Sequence, residues 1–238
     1  MRCLPILLAA SVAALAADPS PRVPVVLELF TSEGCSSCPP AEDVLEQIDR
    51  KQPVPGVEAI VMAEHVDYWD NLGWRDPYAS QSFTLRQDQY GRQFRLDSVY
   101  TPQMVVDGAI QVSGGDVPGI LGAIGKCAAG PSVPVKLAAQ PGGVAIEIPA
   151  GGAKPEVFLA FADDTVTTKV LRGENAGHEL HHVAVIRGIR KIGAVSRTEG
   201  FSKTVPLEPH GDQRIIVFLQ DISLGRISGA AMVHYPSR

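Results

Sequence analysis

Cys35-Ser36-Ser37-Cys38 is the stretch of the 238-residue chain whose residue types and spacing are best suited to chemistry. At the start of a helix, Cys-x-x-Cys sets one sulfur at the exposed first turn and the second one turn later, within reach of a disulfide. Unpaired N–H groups and the positive end of the helix dipole stabilise a thiolate there. Cys35 is then the attacking sulfur, and Cys38 the thiol that resolves the mixed disulfide. Three other readings stand beside this one: an inert structural disulfide, half of a zinc site, and a chance spacing. Zinc usually needs a second Cys-x-x-Cys or a paired histidine set, and the chain has no second cysteine pair. A structural disulfide across two residues gains little, because its stabilisation grows with loop length.

Thr101-Pro102 opens a short strand where a sheet edge can face the cysteines. A cis proline there leaves the carbonyl and N–H of Thr101 to pair with an extended substrate, whereas a plain strand-opening proline is the simpler alternative. His65-Val66-Asp67-Tyr68-Trp69-Asp70 follows an apolar run, where the carboxyl ends of parallel strands line a crevice. His65, Trp69 and Trp74 are therefore candidate substrate-binding residues, with Tyr78 beside them; an aromatic-stapled loop packed on the core is the competing reading. Glu28, on the strand leading to the cysteines, is a candidate acid or base, or the partner of a neighbouring arginine. His178, His181 and His182 invite a metal, but Val183-Ala184-Val185-Ile186 reads as strand and splits His181 from His182 between faces. We assign no metal ligand and no cofactor, and read these histidines as a solvated strand start. Gly173, Glu174, Asn175 and Gly177 read as a turn, and Cys127 as a buried, inert thiol.

The elements that must hold these residues are legible as periodicities. Val25 to Phe30 is an apolar strand that runs into the cysteine loop. Ala41 to Arg50 then carries Val44, Leu45 and Ile48 on one helical face, with Pro39 and Pro40 in the opening turn. Val57 to Ala63 reads as a second strand, and Tyr78 to Phe94 as a helix with Phe83, Gln87, Tyr90 and Phe94 on one side. Two short strands between Thr101 and Val112 meet at Asp107-Gly108, a strong hairpin signal. Val117 to Ala128 closes the segment as a helix, with Ile120, Ile124 and Cys127 on one stripe. This order predicts an α/β domain over 18–130, a mixed sheet with helices on both faces. From Pro131 onward, short apolar runs broken by Gly and Pro predict an all-β, sandwich-like domain of roughly seven or eight strands over 131–238.

Met1-Arg2, an apolar run from Leu4 to Leu15 and the small residues up to Ala17 make a signal peptide over 1–17. The run is shorter than the ~20 residues of a spanning helix, and Cys3 leaves with it. The mature chain is then expected in an oxidising compartment, periplasmic or secreted, with no later membrane span. A formal charge of −5 without a Lys/Arg cluster argues against nucleic acid as a partner.

Strand, Cys35-x-x-Cys38 with a following proline, βα unit, Thr101-Pro102 before a hairpin and a closing helix together resemble the thioredoxin superfamily, over residues 23 to 129. More narrowly, Glu28-Leu29-Phe30-Thr31-Ser32-Glu33-Gly34-Cys35, His65-Val66-Asp67-Tyr68-Trp69 and Tyr100-Thr101-Pro102-Gln103-Met104 resemble an exported bacterial family known only as domain of unknown function 1223. In that family a thioredoxin-like part is joined to a β-rich part, and the likeness extends through Arg172-Gly173-Glu174-Asn175-Ala176-Gly177. The superfamily resemblance implies Cys35 as nucleophile, Cys38 as resolving thiol and Pro102 as the cis proline beside them. A thioredoxin proper has Trp before the first cysteine and Gly-Pro between the two. Gly34 and Ser36-Ser37 stand there instead, which leaves the direction of electron flow open. The implied function is an exported thiol/disulfide oxidoreductase, with protein thiol/disulfide clients, small thiols or a membrane redox partner. The alternative is a non-catalytic module that carries a soft metal such as copper(I) or binds a partner on a stable disulfide.

Overall fold

The computed structural model describes residues 22–151, 154–207 and 211–235. The expected signal peptide, with Cys3, lies outside them. Its first strand, β1 (Val23–Thr31), is apolar almost throughout and buried on both faces, as a central strand must be. It pairs in parallel with β2 (Val57–His65), from Val23 against Val57 to Thr31 against His65. Between them runs α1 (Pro39–Lys51), whose two leading prolines take positions with no helical N–H to satisfy. Leu45 and Ile48 are buried, and the helix stops at Gln52, whose left-handed backbone returns its N–H to the Ile48 carbonyl at 2.9 Å.

Helix α2 (Gln81–Phe94) begins three residues later than its periodicity suggests, because Ser80 caps it by accepting the Ser82 N–H at 3.3 Å. The hairpin β3 (Gln103–Val106) and β4 (Ile110–Ser113) turns as predicted at Asp107-Gly108. Both turn residues have positive φ, 47° and 62°, the backbone of a primed turn. Helix α3 (Val117–Ala128) follows. Along β1, Phe30 meets Tyr90 of α2 while the next residue, Thr31, bonds Glu42 of α1, so those helices cover opposite faces.

The C-terminal segment is all-β: β5 (Lys136–Gln140), β6 (Gly143–Ile148), β7 (Glu156–Lys169), β8 (Glu179–Ala194), β9 (Phe201–Pro206), β10 (Gln213–Gln220) and β11 (Ile227–Tyr235). Four of these strands extend the first sheet instead of closing a sandwich of their own. The order is β11-β10-β7-β8-β2-β1-β3-β4, with β8 joining the free edge of β2 at Ala63 and Val185. An edge left open would expose a row of unpaired N–H and C=O groups, and β8 covers it. The small sheet β5-β6-β9 lies over β7 and β10, burying Val144, Ile146 and Val205 with Leu159, Ile215 and Val217. Arg214 of β10 also reaches Asp49 of α1 with both terminal nitrogens, at 2.7 and 2.8 Å. The segments on either side of Pro131 thus share one eight-stranded sheet, and the β7–β8 hairpin carries its tip, residues 170–178, to the cysteine loop.

Candidate functional site

Cys38 stands immediately before α1, its carbonyl accepting the Ala41 and Glu42 N–H groups at 2.9 and 3.1 Å. Cys35 sits in the turn after β1 and is joined to Cys38 by a disulfide, with Cα atoms 5.4 Å apart. The hydroxyl of Thr101 donates to Cys35 Sγ at 3.3 Å, and Trp69 Nε1 donates to that same hydroxyl at 2.9 Å. The Thr101–Pro102 peptide is cis. Trp69 also backs onto Gly34, where a Cβ would lie 3.1 Å from the tryptophan Cβ. The loops after β1, after β2 and before β3 are therefore linked through the Thr101 hydroxyl beside Cys35 Sγ.

In one respect the pair departs from what its spacing predicts, since both cysteines are fully buried instead of Cys35 being exposed. The cover comes from the β7–β8 tip. Asn175 Nδ2 donates to the carbonyls of Glu33 and Cys35, at 2.8 and 3.1 Å, and Glu174 Oε2 accepts the Ser36 N–H at 3.3 Å. Residues read as turn chemistry alone thus grip the cysteine loop, while Ser36 and Ser37 stay exposed.

Beside the pair lies a buried cluster drawn from α1, β2 and β8. His182, expected at a solvated strand start, is 2 % exposed. Its Nε2 meets Glu33 Oε1 at 3.1 Å, and its Nδ1 bonds Glu42 Oε2. Burial disfavours the His182 cation, but the hydrogen bonds to Glu33 and Glu42 outweigh it and lift the pKa to about 10. Glu42 also accepts the Thr31 hydroxyl at 2.5 Å, and Glu33 the Trp74 indole N–H at 2.7 Å. His65, predicted to face substrate, is fully buried; its Nδ1 meets Asp76 Oδ2 at 2.7 Å. Burial pushes the Asp76 carboxyl up, yet the facing His65 and the Glu33 and Tyr78 N–H groups leave it below the usual carboxylate value. Glu42, His65 and His182 offer ligand atoms that all lie within 4.8 Å of one another, where the sequence assigns no metal ligand.

A model of the family described as "Protein of unknown function (DUF1223)" matches residues 26–220. The chain belongs to this family. A crystal structure of a protein from Agrobacterium tumefaciens resembles it at 31% identity and a TM-score of 0.73, over 89% of this chain and 94% of that one. HBP35 of Porphyromonas gingivalis shares the fold at 15% identity and a TM-score of 0.52, over 91% of this chain and 76% of that one. No curated protein matches the chain.

Other predicted residues of this DUF1223 chain fall outside the cluster. Glu28 is on the α2 face of β1, where its carboxylate meets the Arg86 guanidinium at 2.5 Å and accepts the Tyr90 hydroxyl at 2.6 Å. It takes the arginine-partner alternative, and the structure brings it to neither sulfur by a hydrogen bond. Trp69 and Trp74 are half-buried and donate to Thr101 and Glu33, so each braces a loop at the site. His178, just before β8, and His181, on the face of β8 opposite to His182, are exposed. Cys127 is free and buried, its thiol pushed up to about 11 by burial. The sequence signal for His182 was present in the alternation Leu180, His182, Ala184, all buried; Glu42, one position off the apolar stripe of α1, gave none.

Proposed function

We propose that the chain is an exported thiol/disulfide oxidoreductase of thioredoxin-like build that works through Cys35 and Cys38. The observation that carries this reading is the Thr101 hydroxyl aimed at Cys35 Sγ while Cys38 stands at the start of α1. In the reducing direction, a Cys35 thiolate attacks a client disulfide, one client sulfur leaves as a thiolate, and a mixed disulfide forms. Cys38 then attacks Cys35, releasing the second client thiol; the client gains two electrons and the pair becomes a disulfide. The oxidising direction is the same sequence reversed. The Thr101 hydroxyl and the helix N-terminus stabilise the thiolates formed on the way. Protein thiols or a membrane redox partner are the clients, and the leader over 1–17 supports a periplasmic or secreted site of action. Among the described residues no helix is long and apolar enough to cross a membrane.

The test is catalysed reduction of a model disulfide peptide by a dithiol, and catalysed oxidation of its reduced form. Wild type accelerates one direction, Cys35→Ser abolishes it, and Cys38→Ser accumulates a mixed disulfide through Cys35. Absence of activity both ways, with a pair that stays oxidised in excess dithiol, overturns the proposal. That outcome selects a second reading, a non-catalytic module on a stable disulfide, which the complete burial of both cysteines favours.

A further inference from the structure

We propose that Glu42, His65 and His182 form a binding site for a divalent transition-metal ion of the zinc type, independent of the cysteine pair. Three elements distant in sequence, α1, β2 and β8, bring these buried side chains to within 4.8 Å. Tetrahedral zinc, with ligands at about 2.0–2.1 Å, needs ligand atoms about 3.4 Å apart, so the widest separation must close by up to about 1.4 Å while the hydrogen-bonded His182–Glu42 pair opens.

Both imidazoles are oriented as metal ligands are. A metal-binding histidine commonly gives its second ring nitrogen to a carboxylate, which sets the tautomer and the ring plane. Here His65 Nδ1 faces Asp76 at 2.7 Å and His182 Nε2 faces Glu33 at 3.1 Å. The two carboxylates are themselves held, Asp76 by the Glu33 N–H at 2.8 Å and Glu33 by the Trp74 indole. Thr31 fixes Glu42 in the same way.

A network of ion pairs around His182 accounts for that residue without a metal. It does not account for His65. Its Nε2 is buried in a fully buried side chain and has no hydrogen-bond partner among the described residues. With Nδ1–H given to Asp76, this nitrogen is a lone pair in the interior, and an unsatisfied buried polar group costs about 1–3 kcal/mol. A cation is the partner it lacks.

The way in is open. A cleft of about 550 Å³ between α1 and the start of β8 is lined by Glu42, Asp43, Glu46, Glu179 and His182. Four carboxylates there draw cations in. Two imidazoles and a carboxylate suit zinc, cobalt(II), nickel(II) or copper(II) better than calcium or magnesium, and contain no soft sulfur for copper(I). Three protein ligands leave a fourth position for water or a small anion from the cleft. In the metal-free protein a proton lies between His182 Nδ1 and Glu42; the metal takes its place and the proton leaves to solvent.

The experiment titrates the mature, chelator-treated chain, its disulfide intact, with zinc by calorimetry and with cobalt(II) by visible absorption. One equivalent binds, and cobalt shows the intense bands of a tetrahedral site. His65→Gln weakens binding at least about 100-fold, and Asp76→Asn, which acts through His65, by about 10–100-fold. A Cys35→Ser/Cys38→Ser double variant and a His178→Ala/His181→Ala double variant bind as wild type does. Absence of stoichiometric binding by wild type overturns the proposal, as does unchanged affinity in folded His65→Gln or loss of binding in either control. The wild-type titration decides even where a buried-site variant fails to fold. The cysteine control separates this result from the fate of the oxidoreductase reading.

Discussion

Asn175 donates its side-chain amide to the backbone carbonyl of Cys35 at 3.1 Å, across a sequence separation of 140 residues. The contact ties the tip of the β7–β8 hairpin to the loop that carries the cysteine pair, and the same amide holds Glu33 at 2.8 Å. Access to Cys35 therefore depends on the C-terminal half. Each buried hydrogen bond contributes about 1 kcal/mol net, so the pair holds the cover shut by about 2 kcal/mol. Asn175→Ala is expected to raise the rate at which a small dithiol reduces the disulfide by about 10- to 30-fold. Thiol release followed in time checks this; an unchanged rate means that the tip does not gate the pair.

Thr101 serves Cys35 and Trp69 with one hydroxyl, accepting from the indole and donating to the sulfur. Thr101→Val keeps the shape and removes both bonds. In the reduced protein the Cys35 thiolate then lacks a donor worth about 1 kcal/mol, and alkylation of Cys35 at neutral pH is expected to slow roughly fivefold. Thr101→Ser retains the hydroxyl and the wild-type rate. Rates measured in a Cys38→Ser background isolate Cys35; equal rates for Val and Ser would show that the hydroxyl does not act on the thiolate.

The first half of the fold was legible because its signals are local. Apolar run length marked β1 and β2, Pro39-Pro40 marked the start of α1, and Asp107-Gly108 marked the hairpin. What escaped was which edge a strand would join. The apolar run Val183-Ala184-Val185-Ile186 reads as a strand, but does not say that this strand pairs with β2. From that pairing follow the burial of His182 beside His65 and of Cys35 beneath Asn175. Glu42 was hidden for the same reason, since a helix acid next to an apolar stripe reads as solvated until a histidine from another element arrives.

Asp107 ties its side chain to the Val26 N–H at 2.8 Å in the hairpin turn, with 4 % of its surface exposed. Burial raises its carboxyl to about 7, against the downward pull of the Val26 N–H and Arg226. The folded state therefore holds a proton between about pH 4 and 7 that the unfolded chain has released. Stability from this group falls as pH rises across that window and stays low above it. Asp107→Asn keeps the acceptor for Val26 and tolerates the positive φ. Denaturant midpoints should be flatter from pH 4 to 7 in the variant, and higher than wild type at pH 8. Parallel profiles would show that Asp107 is ionised in the fold.

Arg86 faces two buried carboxylates beneath α2, Glu28 at 2.5 Å and Glu64 at 3.6 Å. One guanidinium cannot balance both. Neither oxygen of Glu64 has a hydrogen-bond partner among the described residues. Burial, with the neighbouring Glu28 adding to it, holds the Glu64 carboxyl well above the usual range and favours its neutral form, while Glu28 makes the shorter contact to the guanidinium. The two sites should respond unequally. Glu64→Gln puts a neutral amide of the same size where burial favours the neutral acid, and is expected to cost less than about 1.5 kcal/mol. Arg86→Met removes the ion-pair partner of the buried Glu28 side chain and leaves it Tyr90 alone, and is expected to cost about 3–5 kcal/mol. Urea unfolding of the two variants at neutral pH decides the matter. Equal losses would mean that Glu64 is ionised and shares the arginine.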